Sequence, residues 1–232
     1  MVYVSIKKTP PVTDGEIQKK AKSLRVLKYC ENKAIIDSVL SRKNALSRQN
    51  SILAYELLDS MLLSLTEAKT AALDRDGNGK SYIKNVNVAF NISHTDGAVA
   101  CIIDTEGNDV GIDIEQIGRD GGDIIDRFFD DAARKRHADA ANKPLSFAQI
   151  WTEKEAYSKF LGTGITDYKT DYPKPHLFTH SRHGQHLVTV CTMPDSQIEI
   201  WQKDKEKYQM NASWQRFPAQ AVFIPSLPKS SA

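Results

Sequence analysis

A chain of 232 residues, 41% hydrophobic and 26% charged, has the composition of an ordinary globular protein, with apolar mass for one large domain or two modest ones. A net charge of +2 gives no global reason to bind nucleic acid, although local basic patches are left open. Three cysteines, Cys30, Cys101 and Cys191, are odd in number and far apart, which excludes a disulfide framework and fits a reducing compartment.

The opening MVYVSIKKTPP lacks the apolar core and cleavage site of a signal peptide. No segment approaches the roughly 18 consecutive apolar residues of a membrane span. The expectation is a cytoplasmic protein with neither membrane nor nucleic acid among its partners. MVYVSI reads as a first strand, ended by Pro10 and Pro11. Residues 16–32 have a helical, basic pattern. Residues 45–69 carry the spacing of a long buried helix through Ile52, Leu53, Tyr55, Leu57, Leu58, Leu62 and Leu63. After the turn-rich DRDGNGKS come two strand patterns, VNVAFNIS and AVACIID, joined by HTDG. EGND turns the chain into VGIDIEQI. Helical signals return in DIIDRFF and FAQIWTEKEAYSKFL. HLFTHSRHGQHLVTVCTM, QIEIWQK and AQAVFI read as β-hairpins, and PSLPKSSA as a loose tail.

The order is β, helices and a β-hairpin, then β, helices and β-hairpins again. The expected class is α/β (α+β), with two related halves meeting near residue 109. Each half would be a small antiparallel-rich sheet packed on helices, over residues 1–109 and 110–225, with 226–232 as the tail.

Three motifs invite functional readings that their surroundings disfavour. Asp74, Asp76, Asn78 and Gly79 match the first half of a calcium loop, but Asn85 stands at the twelfth position, where a bidentate Glu belongs. GNGKS imitates the end of a P-loop, but Asp74 stands where that loop needs its first glycine. His176, His180, His183 and His186 crowd together without a Cys or carboxylate at zinc spacing, so a hairpin is favoured.

GIDIE, residues 111–115, is more informative. Side chains alternate along a strand, so Ile112 and Ile114 face one side and Asp113 and Glu115 the other, with Cβ atoms about 7 Å apart. Like charges on one face repel unless something positive lies between them. The two readings are a solvated outer face and a site for a hard cation. FNISH, residues 90–94, can lie beside GIDIE in one sheet, and His94 can donate to a phosphate, neutral or charged. In WTEKEAYSKFLG, Glu155 and Lys159 share a helix face, with Trp151 one turn earlier. Together these segments offer a third carboxylate, a cation and a phosphate donor. Oxygen ligands of this kind suit Mg²⁺, so the physical inference is a magnesium–diphosphate site.

NISH, GIDIE and WTEKEAYSK, in this order and spacing, resemble the three signature motifs of the 4′-phosphopantetheinyl transferase superfamily, and the length resembles its monomeric, double-length Sfp type. NGKSYIKN falls where the family has a G-K-P loop. The resemblance implies transfer of the phosphopantetheine arm of coenzyme A to a serine of an acyl or peptidyl carrier protein, releasing 3′,5′-ADP. Asp113, Glu115 and Glu155 would surround Mg²⁺, with Mn²⁺ as the alternative ion. Glu155 would be the base for the serine hydroxyl. Lys159 and His94 would bind phosphate oxygens, Ser93 and Asn91 would shape the nucleotide pocket, and Lys154 would orient the helix or touch the nucleotide. Arg48 would meet the 3′-phosphate, with Lys28, Lys33, Arg42 and Lys43 as unranked alternatives. RKRH, residues 134–137, reads equally as a docking patch for an acidic carrier or as a solvated helix face.

Three positions depart from the family pattern. Ala133 stands near an expected acid, with Asp130 and Asp131 just upstream. Ser81 replaces the proline of G-K-P, and Asn50 replaces an arginine ahead of the buried helix run. The rival reading is a non-catalytic paralogue that binds coenzyme A or a carrier protein.

Overall fold

The computed structural model describes residues 1–10, 13–41, 44–68 and 70–201. The expected strand at AQAVFI and the tail after it lie outside the described residues. The N-terminal half contains β1 (Val2–Lys8), α1 (Asp14–Ser23), α2 (Arg25–Lys28), α3 (Lys33–Leu40), α4 (Ala45–Leu65), β2 (Leu73–Arg75), β3 (Ser81–Ile83), β4 (Ala89–Thr95) and β5 (Ala98–Asp104). The remaining elements are β6 (Gly111–Gln116), α5 (Gly122–Phe128), α6 (Asp131–Asp139), α7 (Lys143–Leu161), β7 (Leu177–His183), β8 (His186–Thr192) and β9 (Ile198–Ile200).

The architecture is mixed α/β, with long helices packed on sheets. One sheet has the order β4-β5-β1-β9, a second β6-β8-β7, and β2 pairs only with β3. The seven residues of β5 are all buried, and they alternate between two cores. Val99, Cys101 and Ile103 join the core containing Ile52, Leu58 and Leu62 of α4. Ala98, Ala100 and Ile102 join Ile112, Ile114, Val188 and Val190 between the two sheets. On the far side of the second sheet, Ala156 and Phe160 of α7 cluster with Cys191 of β8. The layers therefore run helix, sheet, sheet, helix, and the GIDIE isoleucines face the inter-sheet core as their alternation predicts.

Several local expectations change. The single helix expected over residues 16–32 breaks at Leu24, which is extended at φ −70°, ψ 123°. On one straight helix Ile17, Ala21 and Leu24 would share a stripe that excludes Val26. The break lets Val26, fully buried, enter the same core. Helix α3 was not expected at all; its Asn32 cap accepts a hydrogen bond from Ala34 N at 3.2 Å. β4 and β6 do not share a sheet: each is an edge strand of its own, and the two edges meet through side chains. Residues 198–200, read as part of a hairpin, instead pair parallel with β1, Val2 opposite Ile198. The edge of β1 needs backbone partners, and Ile198 packs against the inter-sheet core there.

The disfavoured motifs are structural. Asp76 Oδ1 accepts from the backbone N–H groups of Asn78 and Lys80, both at 2.9 Å, closing the β2–β3 turn. The histidine-rich stretch is the β7–β8 hairpin. Among the described residues, no helix is long and apolar enough to cross a membrane.

Gly111 opens GIDIE because α7 crosses the strand there. A Cβ at this position would fall on the carbonyl oxygen of Ala156 and 2.6 Å from the nitrogen of Phe160. Gly111→Ala is expected to force α7 off the sheet and cost about 1–3 kcal/mol, the range for overpacking, measured as a lower urea midpoint. Gly118→Ala, where a Cβ meets nothing within 4 Å, should leave the midpoint unchanged.

Candidate active site

Asp113 sits at the junction of β4, β6 and α7, and only 5% of its surface is exposed. Its Oδ1 accepts from Lys159 Nζ at 2.7 Å and from Ser93 Oγ at 2.7 Å. Lys159 Nζ also donates to Ser93 Oγ at 3.1 Å and stands 4.0 Å from Glu155 Oε2. These three segments enclose a cavity of about 430 Å³ lined by Ser93, His94, Asp113, Glu115, Glu155 and Lys159, within the range usual for small-molecule sites. His94 Nε2 lies 3.2 Å from Ser51 Oγ of α4. Asn50 Nδ2 donates to the Thr95 carbonyl at 3.0 Å, fixing the strand end beside His94. Trp151 reaches the same cavity one turn before Glu155.

The electrostatics follow from crowding carboxylates in a half-buried space. Burial pushes the Glu115 carboxyl above the usual carboxylate range, and the charges of Asp113 and Glu155 add to it while Arg119 opposes. Glu155 is raised chiefly by burial, with Lys159 opposing and Asp113 adding. Both carboxyls would gain from a cation. Three oxygen donors on one cavity wall fit a hard divalent ion in donor chemistry. Among the described residues, no three His, Cys, Asp or Glu side chains converge closely enough to hold a metal unaided. Mg²⁺ does not require such a cage, since it commonly takes one or two carboxylates and completes its shell with phosphate oxygens and water.

The opposite face of α7 carries a charge network absent from the sequence reading. Glu153 is 6% exposed and accepts from Arg136 Nη1 at 2.5 Å and Nη2 at 2.9 Å. His180 Nε2 lies 3.1 Å from Oε1, the oxygen that also accepts from Arg136 Nη2. Burial works to raise this carboxyl, but the hydrogen bonds from His180 and Arg136 outweigh it and hold it below the usual range. Thr152 and Thr189 join through their hydroxyls at 2.5 Å, and Thr189 pairs with Asp113 across the β6–β8 ladder. α7 is thus held from its far flank and from the sheet beneath it in the rotation that aims Glu155 and Lys159 at β6.

Not every candidate from the sequence reaches the cavity. Lys154 points away and donates to Asp167 Oδ1 at 3.0 Å and the Lys169 carbonyl at 2.7 Å, a structural engagement. Arg48 lines a second cavity of about 510 Å³ with Lys22 and Lys28. Arg42 and Lys43 lie outside the described residues. Each side chain of RKRH meets a carboxylate: Arg134 with Asp131, Lys135 with Asp139, Arg136 with Glu153, His137 with Asp120. Arg136 and His137 are thus engaged with structural partners, whereas Arg134 and Lys135 hold only exposed pairs on the helix surface. Ala133 is buried with Phe129 and Phe147, and Asp130 caps α6. Arg75 and Ser38 do line the main cavity. The sequence reading passed over Arg75 because it lies inside a stretch that scores as a turn.

Residues 109–213 match the family model of the 4′-phosphopantetheinyl transferase superfamily. The chain is also similar to the 4′-phosphopantetheinyl transferase of Bacillus subtilis, 31% identical over 122 residues, covering 47% of this chain and 53% of the relative. The 4′-phosphopantetheinyl transferase gsp of Aneurinibacillus migulanus is 37% identical over 89 residues, 38% of this chain and 36% of the relative. The psf-1 transferase of Bacillus pumilus is 33% identical over 100 residues, 40% of each. The matches thus span between about a third and about half of these relatives' lengths.

The junction makes a stability prediction. Removing one partner of a buried pair costs about 3–5 kcal/mol. Lys159 is 26% exposed, so Lys159→Met should cost about 3 kcal/mol, the lower end of that range, in urea unfolding without divalent cations. Adding Asp113→Asn should recover at least half of that loss. A single-variant cost under about 1 kcal/mol would show that solvent, not Lys159, supports Asp113.

Proposed function

We propose that this chain transfers the 4′-phosphopantetheine arm of coenzyme A to a serine hydroxyl of an acyl or peptidyl carrier protein, converting apo to holo carrier and releasing 3′,5′-ADP. The observation that carries the reading is that Ser93 and His94, Asp113 and Glu115, and Glu155 and Lys159 line one cavity although they come from three separate segments. A merely stabilising Glu–Lys helix pair or a solvated acidic strand would need no such convergence.

Asp113, Glu115 and Glu155 would hold Mg²⁺, with Mn²⁺ as the alternative. When bound, the ion supplies Lewis-acid polarisation of phosphate oxygens and a template for the diphosphate. Lys159 and His94 bind phosphate oxygens and stabilise the charge that develops on the leaving nucleotide. The carrier serine oxygen attacks the phosphorus that bears the pantetheine arm, and the P–O bond to 3′,5′-ADP breaks. Glu155 takes the serine proton, a role that competes with tight metal ligation. Ser93 acts by orienting Asp113 and Lys159.

We take the division near residue 109 as the functional one, with the carrier docking at the cleft between halves. Three buried, unpaired cysteines support a reducing, cytoplasmic setting. A cavity lined by both halves of one chain supports a monomer.

Intact-mass spectrometry of an apo carrier incubated with the protein, coenzyme A and Mg²⁺ is expected to show one added phosphopantetheine arm. EDTA and Asp113→Ala should each abolish it. Coenzyme A binding without modification of any acyl or peptidyl carrier would favour the non-catalytic paralogue instead.

A further inference from the structure

The second cavity, of about 510 Å³, lies among the N-terminal helices and outside the site described above. Helix α3 is the partition between the two. Ser38 and Val39 line the first cavity, whereas Ile36 and Leu40, four residues apart and so on one face of the helix, line the second. Ile17 of α1 and Leu27 of α2, both buried, extend its apolar floor. Leu40 stands at the lip, 41% exposed. A ligand with an apolar portion would cover it and gain by removing that surface from water.

The rim is cationic. Lys22, Lys28 and Arg48 all line the cavity, and among the described residues no carboxylate does. The cations beside α4 are matched instead: Lys7 and Lys20 pair with Glu56, and Arg25 with Asp59. Among the described residues, neither Lys22 nor Lys28 has such a carboxylate; Lys28 lies over the Tyr29 ring at 5.6 Å. Like charges gathered at one apolar space repel, and an anion placed among them relieves the repulsion.

The floor and the rim together narrow the ligand. An apolar cavity of this volume with a few convergent polar groups has the usual form of a small-molecule site. A bare inorganic anion would leave the aliphatic floor unused. A nucleobase would find no aromatic side chain to stack on among the described lining residues. We infer that this cavity is a separate binding site for an amphiphilic anion, a single aliphatic chain ending in a carboxylate. The chain lies on Ile17, Leu27 and Ile36, and the head group lies among Lys22, Lys28 and Arg48. Such a site stands whether or not the chain is a transferase.

The test titrates laurate, below its micelle concentration, into the parent protein by calorimetry. Laurate should bind at one site, and decanoate about tenfold more weakly because two fewer methylenes are buried. Dodecanol, with the same chain and no charge, should bind about fivefold more weakly than laurate, the upper end of what exposed ion pairing contributes. Lys22 and Lys28 are exposed, so a Lys22→Gln, Lys28→Gln double variant keeps the fold, checked by its urea midpoint. It should close most of the gap between laurate and dodecanol while leaving dodecanol unchanged. Leu40→Asp should weaken both. Coenzyme A should not compete with laurate, since α3 separates the two cavities. Laurate that fails to bind, that coenzyme A displaces competitively, or that binds the double variant as tightly as the parent overturns the assignment. Capture of the protein by phosphatidylglycerol vesicles without binding of the free acid also overturns it, and would make the same surface a membrane contact.

Discussion

The buried carboxylate of Asp113 sets the terms for everything around it. A charge that is almost fully removed from water needs compensation, and it finds it in Lys159 of α7 and the Ser93 hydroxyl of β4. Those bonds join an edge strand of each sheet to the long C-terminal helix, so the same interaction that satisfies Asp113 also closes the cavity. Glu115 and Glu155, drawn into the space by their places on β6 and α7, are raised by burial more than Arg119 and Lys159 lower them. The result is a half-buried pocket with an excess of carboxylates, which a cation would relieve.

Such a junction requires that α7 be held close and in one rotation. Closeness is secured at Gly111, where the helix backbone occupies the space a side chain would need. Rotation is secured on the far flank, where Glu153 is gripped by Arg136 and His180, and beneath the helix, where Thr152 meets Thr189 of the sheet. Front and back of the helix thus carry ionic contacts while its apolar residues, Ala156 and Phe160, pack on the sheet. The arrangement explains why a helix with so many charges is largely buried.

The N-terminal half contributes in a different way. Its long helix α4 packs on the first sheet and brings Ser51 to His94, while Asn50 holds the strand end nearby. The β2–β3 hairpin is tied to α3 through Asp74 and Asn32 and to the end of α7 through Lys80. It therefore spans the two halves and presents Arg75 to the cavity from a side remote in sequence from the three motifs.

What the sequence determined by itself is what depends on local periodicity. The alternation in GIDIE separates isoleucines from carboxylates, the stripe on residues 45–69 specifies a buried helix, and the i, i+4 spacing of Glu155 and Lys159 puts them on one face. Those patterns put Asp113 with Glu115, and Glu155 with Lys159, on shared faces, but not in one cavity. The tertiary structure alone decided the rest. It broke the helix at Leu24 to bury Val26, and paired β9 with β1 from the other end of the chain. It buried Glu153, sent Arg48 to a second cavity and brought Arg75 into the first. Neighbours along the chain carry no signal for these outcomes. Each is set by which surfaces remain unsatisfied once helices and sheets pack, and the partner that satisfies them lies tens of residues away.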